Sequence, residues 1–316
     1  MLRYLAGRFA QALLVLWAAY TVTFAVLYLL PGDPIGIMLA AADVQVEALS
    51  PEELERVKAL YGLDQPMSVH YLHSLLAALH GDFGLSLTKS EPVTTMILDR
   101  LPGTLSLAGC SVALSLAFGV TLAYLGVYVR WRPARLVLSR LPAFGVSFPS
   151  FWVGLILIQV FAFGLGWVPA SGEAGPRSLV LPAITMSIPS AAVFAQVLMK
   201  SLDTELRQPY AVAARSRGLS RAQVQARYAS RNAALPLLTL LGLQIANTVS
   251  GAIVIETVFT RVGIGRLAQE AVLSQDIPLV LGIVVLGAAA FVVVNLLVDL
   301  LYPLVDPRTL HISGRV

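Results

Sequence analysis

Six stretches of this chain contain no Asp, Glu, Lys or Arg for 22 residues or more. They lie between Arg8 and Asp33, Arg100 and Arg130, Arg140 and Glu173, Arg177 and Lys200, Arg231 and Glu256, and Asp276 and Asp299. About 20 apolar residues in helical conformation cross the hydrocarbon layer of a bilayer. A charge at mid-membrane costs about 2.5–3.5 kcal/mol on insertion scales. Six such windows predict six transmembrane helices, at about 9–30, 103–129, 141–166, 179–200, 235–256 and 278–301. The apolar runs are continuous, without the alternation of a membrane β-barrel. The expected fold is therefore all-α and polytopic. With 57% hydrophobic and 13% charged residues, the composition excludes disordered and collagen-like chains and most soluble enzymes.

The first window is too long for a cleavable signal, and Pro31-Gly32-Asp33-Pro34 follows it. The single cysteine, Cys110, excludes an intrachain disulfide. Lys and Arg in alternate connecting segments number 15 on one side and 7 on the other. By the positive-inside rule both termini are then expected in the cytoplasm. The net charge of +4 reads as a topology signal and not as a nucleic-acid surface.

Four regions are expected: residues 1–30 as N-terminus and first helix, 31–101 as an external helical cap, 102–304 as the membrane core, and 305–316 as a cytoplasmic tail. Within the cap, Ser50-Pro51-Glu52-Glu53 is a capping box that opens a helix toward Gly62. A second helix fits 66–80, between Pro66 and Gly81, and a third short one runs from Pro92 toward Arg100. His70, His73 and His80 fall roughly on one face of the second. They read as a solvated face or, with no cysteine nearby, as a poor metal site; no metal is assigned.

The loop 201–234 carries most information. Pro209 can start a short helix, Gly218 can stop it, and Ser220 with Gln223 forms a capping box for a second helix that ends before Pro236. The segment 200–234 holds seven basic and two acidic residues. It reads either as an amphipathic segment on acidic headgroups or as a docking knob for a cytoplasmic partner.

Tyr210-Ala-Val-Ala-Ala-Arg-Ser-Arg-Gly218-Leu219 and Arg231-Asn-Ala-Ala-Leu-Pro236 resemble the EAA loop of bacterial ABC importer permeases. More narrowly, they resemble the first permease of the dipeptide/oligopeptide/nickel group. Also similar are Pro31–Pro34, Tyr61–Pro66, Gly81–Gly84, Phe148–Trp152, Gly166–Gly172, Ile255–Phe259, Gly263–Gly265 and Asp306–Arg308, in the same order along the chain. The name-giving Glu is absent, since Val212-Ala213-Ala214 stands there, and Tyr228 occupies a place where this group often has His.

The resemblance implies a type I ABC importer permease fold, and a passive subunit with no ATPase site of its own. No lysine follows a P-loop glycine run. The implied partners are a second permease subunit, two ATP-binding subunits that hold ATP and Mg, an extracytoplasmic solute-binding protein, and membrane lipid. Tyr210, Ala213, Ala214, Arg215, Arg217, Gly218 and Leu219 are the expected ATPase-coupling residues. Glu256, Arg261 and Arg266 are candidates for docking the binding protein, or else ordinary loop residues. Pro149, Pro189 and Gly251 are candidates for the translocation path, or else helix kinks and close packing. Peptides are the expected substrate, with nickel, glutathione, opines and sugars as alternatives within the group. An ion-coupled transporter is disfavoured by the charge-free windows. An intramembrane enzyme is disfavoured because catalytic motifs are missing.

Overall fold

The computed structural model describes residues 2–29, 52, 66–172 and 175–305. Among these, every regular element is helical, and extended pairing is confined to one isolated bridge between Leu85 and Pro92. The helix expected after Ser50 and the 306–316 tail lie outside the described residues. The labelled helices are α1 (Leu2–Leu29), α2 (Met67–Leu79), α3 (Val93–Tyr128), α4 (Arg132–Ser147), α5 (Ser150–Leu157), α6 (Val180–Leu206), α7 (Pro209–Ser216), α8 (Leu235–Val258), α9 (Ile264–Leu273) and α10 (Ile277–Val305).

Four described helical stretches, in α1, α3, α6 and α10, are long and apolar enough to cross a membrane. A fifth span is counted if α4 and the run Ser150–Gly164 are one broken crossing. The one helix expected over 141–166 is thus two helical runs that meet at a bend. The chain bends by 102° between Ser147 and Ser150, where Pro149 cannot donate a backbone hydrogen bond and restricts Phe148 to extended geometry. The segment expected as a separate short helix after Pro92 is continuous with the next span, forming one 36-residue helix that keeps Pro102 inside it. The helix expected over 66–80 is present as α2, stopped at Gly81 with φ +81°.

The chain divides into two compact units. One comprises residues 1–104 and 262–293, so the described part of the expected cap groups with α1 and with α9. Tyr20 and Phe24 of α1 are buried with Leu281, and Tyr71 and Leu75 of α2 pack against them. A second cluster joins Val93, Met96 and Ile97 to Leu267, Ala271 and Leu279. Asp276 is fully buried in this unit. Its Oδ2 accepts from Ser86 Oγ (2.5 Å), Thr88 Oγ1 (2.9 Å) and the Thr88 N–H (3.2 Å), while Oδ1 accepts from the Leu279 N–H (3.3 Å) and so caps α10. The turn before it is made by Gln275 at φ +53°. His70 packs against Phe24, and His80 bonds the Leu76 carbonyl.

The other unit comprises residues 105–261 and 294–316. Its centre is α6, which buries Leu181, Met186, Phe194, Leu198, Leu202 and Leu206. Small residues bring neighbours close. A Cβ on Gly145 of α4 would lie 2.8 Å from Ala192 Cβ, and one on Gly119 of α3 would lie 2.8 Å from Ala191 O. These approaches follow the small-residue logic of helix packing in membranes, where dispersion and close backbone contact replace the hydrophobic effect.

Candidate functional site

The segment from Arg207 to Pro236 folds back on the end of α6 as a helical hairpin. Gln208 is extended, as a residue before proline prefers, and Pro209 opens α7. Ala211 and Ala214, three residues apart, are buried against Leu202, Leu206, Val224, Ala229 and Ala233. Alanine is what lets a short helix lie this close to a core. Three residues on the opposite side of α7, Val212, Ala213 and Ser216, are exposed, and so are Arg217 and Gly218 beyond it.

The turn is a Schellman stop. The Gly218 N–H bonds Arg215 O (2.9 Å) and the Leu219 N–H bonds Ala214 O (3.4 Å), with Gly218 at φ +87°. Leu219 then packs onto the same core. The expected capping box is present, with the Ser220 N–H donating to Gln223 Oε1 (2.9 Å) and the Gln223 N–H to Ser220 Oγ (3.3 Å). The returning arm winds as a π-helix over Val224–Ala229. Ser230 Oγ donates to the Gln225 carbonyl (2.6 Å) and is also bonded to Tyr124 OH, while Gln225 Nε2 donates to Tyr124 O (3.1 Å). The π-turn is therefore clamped to α3.

A second clamp joins the two arms. Tyr210 OH donates to Glu205, and Asn232 Nδ2 donates to Glu205 Oε2 (3.3 Å) and to Tyr210 OH (3.4 Å). Burial, followed by the bond to Glu205, holds the Tyr210 phenol above its ordinary value of 10.0. Arg215 donates to Leu206 O (3.2 Å). Side-chain hydrogen bonds thus tie the two arms to each other and to α3, while Gln225 Oε1 is buried without a hydrogen-bond partner. What the hairpin presents outward is small, weakly apolar and positively charged.

Of the residues expected to couple, Ala213, Arg215, Arg217 and Gly218 are exposed. Ala214 is a core residue, while Tyr210 and Leu219 are half-buried and hold the hairpin. Of the residues expected to dock a binding protein, Glu256 and Arg261 are buried. Arg261 reaches Ser178 Oγ at 3.4 Å. Arg266 is half-buried and pairs with Glu270 at 3.0 Å. Pro149 sits exposed at the 102° bend, Pro189 lies inside α6, and a Cβ on Gly251 of α8 would meet Met186 Cε at 3.5 Å. No group of three His, Cys, Asp or Glu side chains is placed to hold a metal ion among the described residues.

Sequence reasoning missed Glu205, Asn232, Tyr124 and Gln225. Two signals pointed to the first two: Glu205 is one of two acids among seven bases, and Asn232 lies inside the Arg231–Pro236 motif.

Comparison with known proteins places two family descriptions on the chain. Residues 115–311 match the binding-protein-dependent transport system inner membrane component, and residues 1–108 match its N-terminal region. A Brucella suis biovar 1 (strain 1330) chain, provisionally named a peptide transport system permease protein, is 35% identical, with 95% of this chain and 96% of that one covered. The glutathione transport system permease protein GsiC of Escherichia coli (strain K12) is 34% identical, with 97% and 98% covered. Among solved structures, an inward-facing form of the MetNI methionine ABC transporter aligns with a TM-score of 0.56 at 16% identity, over 69% of this chain and 99% of that chain. That likeness is one of fold.

Proposed function

From the premise that the chain belongs to the binding-protein-dependent transport system inner membrane components, the permeases of ABC importers, we propose that it forms half of a translocation path for short peptides. Long relatives named for peptide and glutathione transport support that substrate class, glutathione being itself a tripeptide-like molecule. A second permease completes the path, an external binding protein delivers the solute, and two ATP-binding subunits hold ATP and Mg. Both termini and the 201–234 hairpin face the cytoplasm, in keeping with the basic excess on that side.

One observation carries the coupling role. The outward stripe Val212, Ala213 and Ser216, with Arg217 and Gly218 beyond it, is exposed on a helix whose other face is sunk into the core of its unit. A short helix held this firmly transmits a push to α6 and α8 as a rigid body. Closure of the ATPase dimer on the stripe would then switch the membrane helices between two arrangements. Ala211 and Ala214 position the stripe, and Glu205, Tyr210 and Asn232 lock it.

The test is uptake and solute-stimulated ATP hydrolysis in vesicles containing the assembled complex. Ala213→Arg is expected to abolish both while the complex still purifies. Full activity in that variant would refute the assignment. Orientation is checked in a Cys110→Ser background, where Ser216→Cys should react with an impermeant thiol reagent only from the cytoplasmic side.

A further inference from the structure

Five arginines converge beside this hairpin on a recess of about 520 Å³ lined by Val127, Arg130, Arg135, Asp203, Leu206, Arg207, Arg215, Leu219 and Arg221. They come from three places in one unit: the 130–135 segment, the end of α6, and the two arms of the hairpin. We propose that this recess is a binding site for a phosphate-type anion, seated between the α3–α4 connection and the coupling hairpin.

The charge balance carries the argument. Asp203 is the one carboxylate in the lining. It is committed to Arg207 at 2.7 Å and reaches Arg135 at 4.0 Å. Arg215 and Arg221 spend one N–H each on backbone carbonyls, of Leu206 (3.2 Å) and Val127 (2.5 Å). Arg130 pairs with no carboxylate among the described residues. Four positive charges therefore remain uncompensated around one concave space. The guanidinium of Arg221 is held below its ordinary value by burial and then by Arg130, Arg135 and Arg215, so these groups feel one another. Guanidinium forks from several directions match a tetrahedral oxyanion better than they match one another. Val127, Leu206 and Leu219 form the floor of the recess, and Arg130, Arg135, Arg207 and Arg215 stand exposed around it.

Two sources offer this chemistry at a membrane surface: the phosphate of an anionic lipid headgroup, and free inorganic phosphate. Either would bridge Arg130 and Arg135 to Arg215 and Arg221, tying the hairpin to the α3–α4 connection. Any effect on coupling rests on the transport reading above; occupancy of the recess does not.

The experiment measures binding to the purified full-length chain in a neutral detergent, titrated with inorganic phosphate, with short-chain phosphatidylglycerol, and with short-chain phosphatidylcholine as control. Saturable binding of phosphate or phosphatidylglycerol is expected, weakened about tenfold or more in Arg130→Gln/Arg135→Gln, as loss of about 1.4 kcal/mol implies. Phosphatidylglycerol alone binding identifies the headgroup as the source. Phosphate binding that competes with the lipid identifies the free anion as sufficient. No saturable binding by either, equal binding by the variant, or phosphatidylcholine binding as well as phosphatidylglycerol overturns the proposal. If the double variant misfolds by circular dichroism, Arg130→Gln alone decides, since its side chain gives up no protein ion pair. Because nothing is transported in this assay, its failure leaves the importer reading standing.

Discussion

Two short helices of this chain end in the same kind of turn and serve opposite purposes. α7 stops at Gly218 and α9 stops at Gln275, both in the left-handed region, at φ +87° and +53°. After α9 comes Asp276, buried and holding Ser86, Thr88 and the first turn of α10. After α7 comes Ser220, exposed and capping only its own arm. In the first case a carboxylate at the turn binds the surrounding chain inward. In the second, alanines beneath the helix do the holding and the turn itself stays open, with nothing within 4 Å of where a Gly218 side chain would start. A buried charge fastens a joint; a small apolar underside frees the opposite face for contact.

The contrast breaks most visibly at the fastened joint. Asp276→Ala should strand the Ser86 and Thr88 donors and cost about 3 kcal/mol, read as a lower thermal midpoint in detergent. Ala214→Arg should cost about as much, because it pushes an unpaired charge under α7, and the same midpoint measurement should record it. Gly218→Ala should cost about 1 kcal/mol through the left-handed backbone alone, measured the same way.

Tyr210→Phe should cost about 1 kcal/mol by removing the link to Glu205. The sign of its pH dependence follows from the raised phenol. The stabilisation is fully present below the ordinary value of 10.0 and is lost as pH rises through the raised one. The gap between wild type and Tyr210→Phe should therefore close in strongly alkaline buffer, which a thermal-midpoint series across pH would record. Ala213→Arg should have the smallest effect on stability, within about 0.5 kcal/mol. A thermal midpoint lowered as far as that of Ala214→Arg would erase the distinction between the two faces of α7.

The hairpin was legible in the sequence because its signals are local. Pro209, Gly218, Ser220 with Gln223, and Pro236 each act within a few residues of themselves. The faces of α7 were not. Ala213 and Ala214 are adjacent and chemically identical, and only the position of α6 and the 224–233 arm decides that Ala214 is covered and Ala213 is open. Glu256 and Arg261 look like surface residues because charge near the end of an apolar helix ordinarily is; their burial depends on what packs over them.

By itself the sequence determined that the chain is helical, apolar and destined for a bilayer, since hydrocarbon tolerates neither charge nor unpaired backbone over spans of this length. It also determined where the hairpin turns, since left-handed backbone and capping hydroxyls are properties of single residues. Tertiary structure alone decided that Asp276 is a fastening. It also decided that five arginines far apart in the chain share one recess. Those outcomes depend on which surfaces meet, and a one-dimensional pattern does not contain that information.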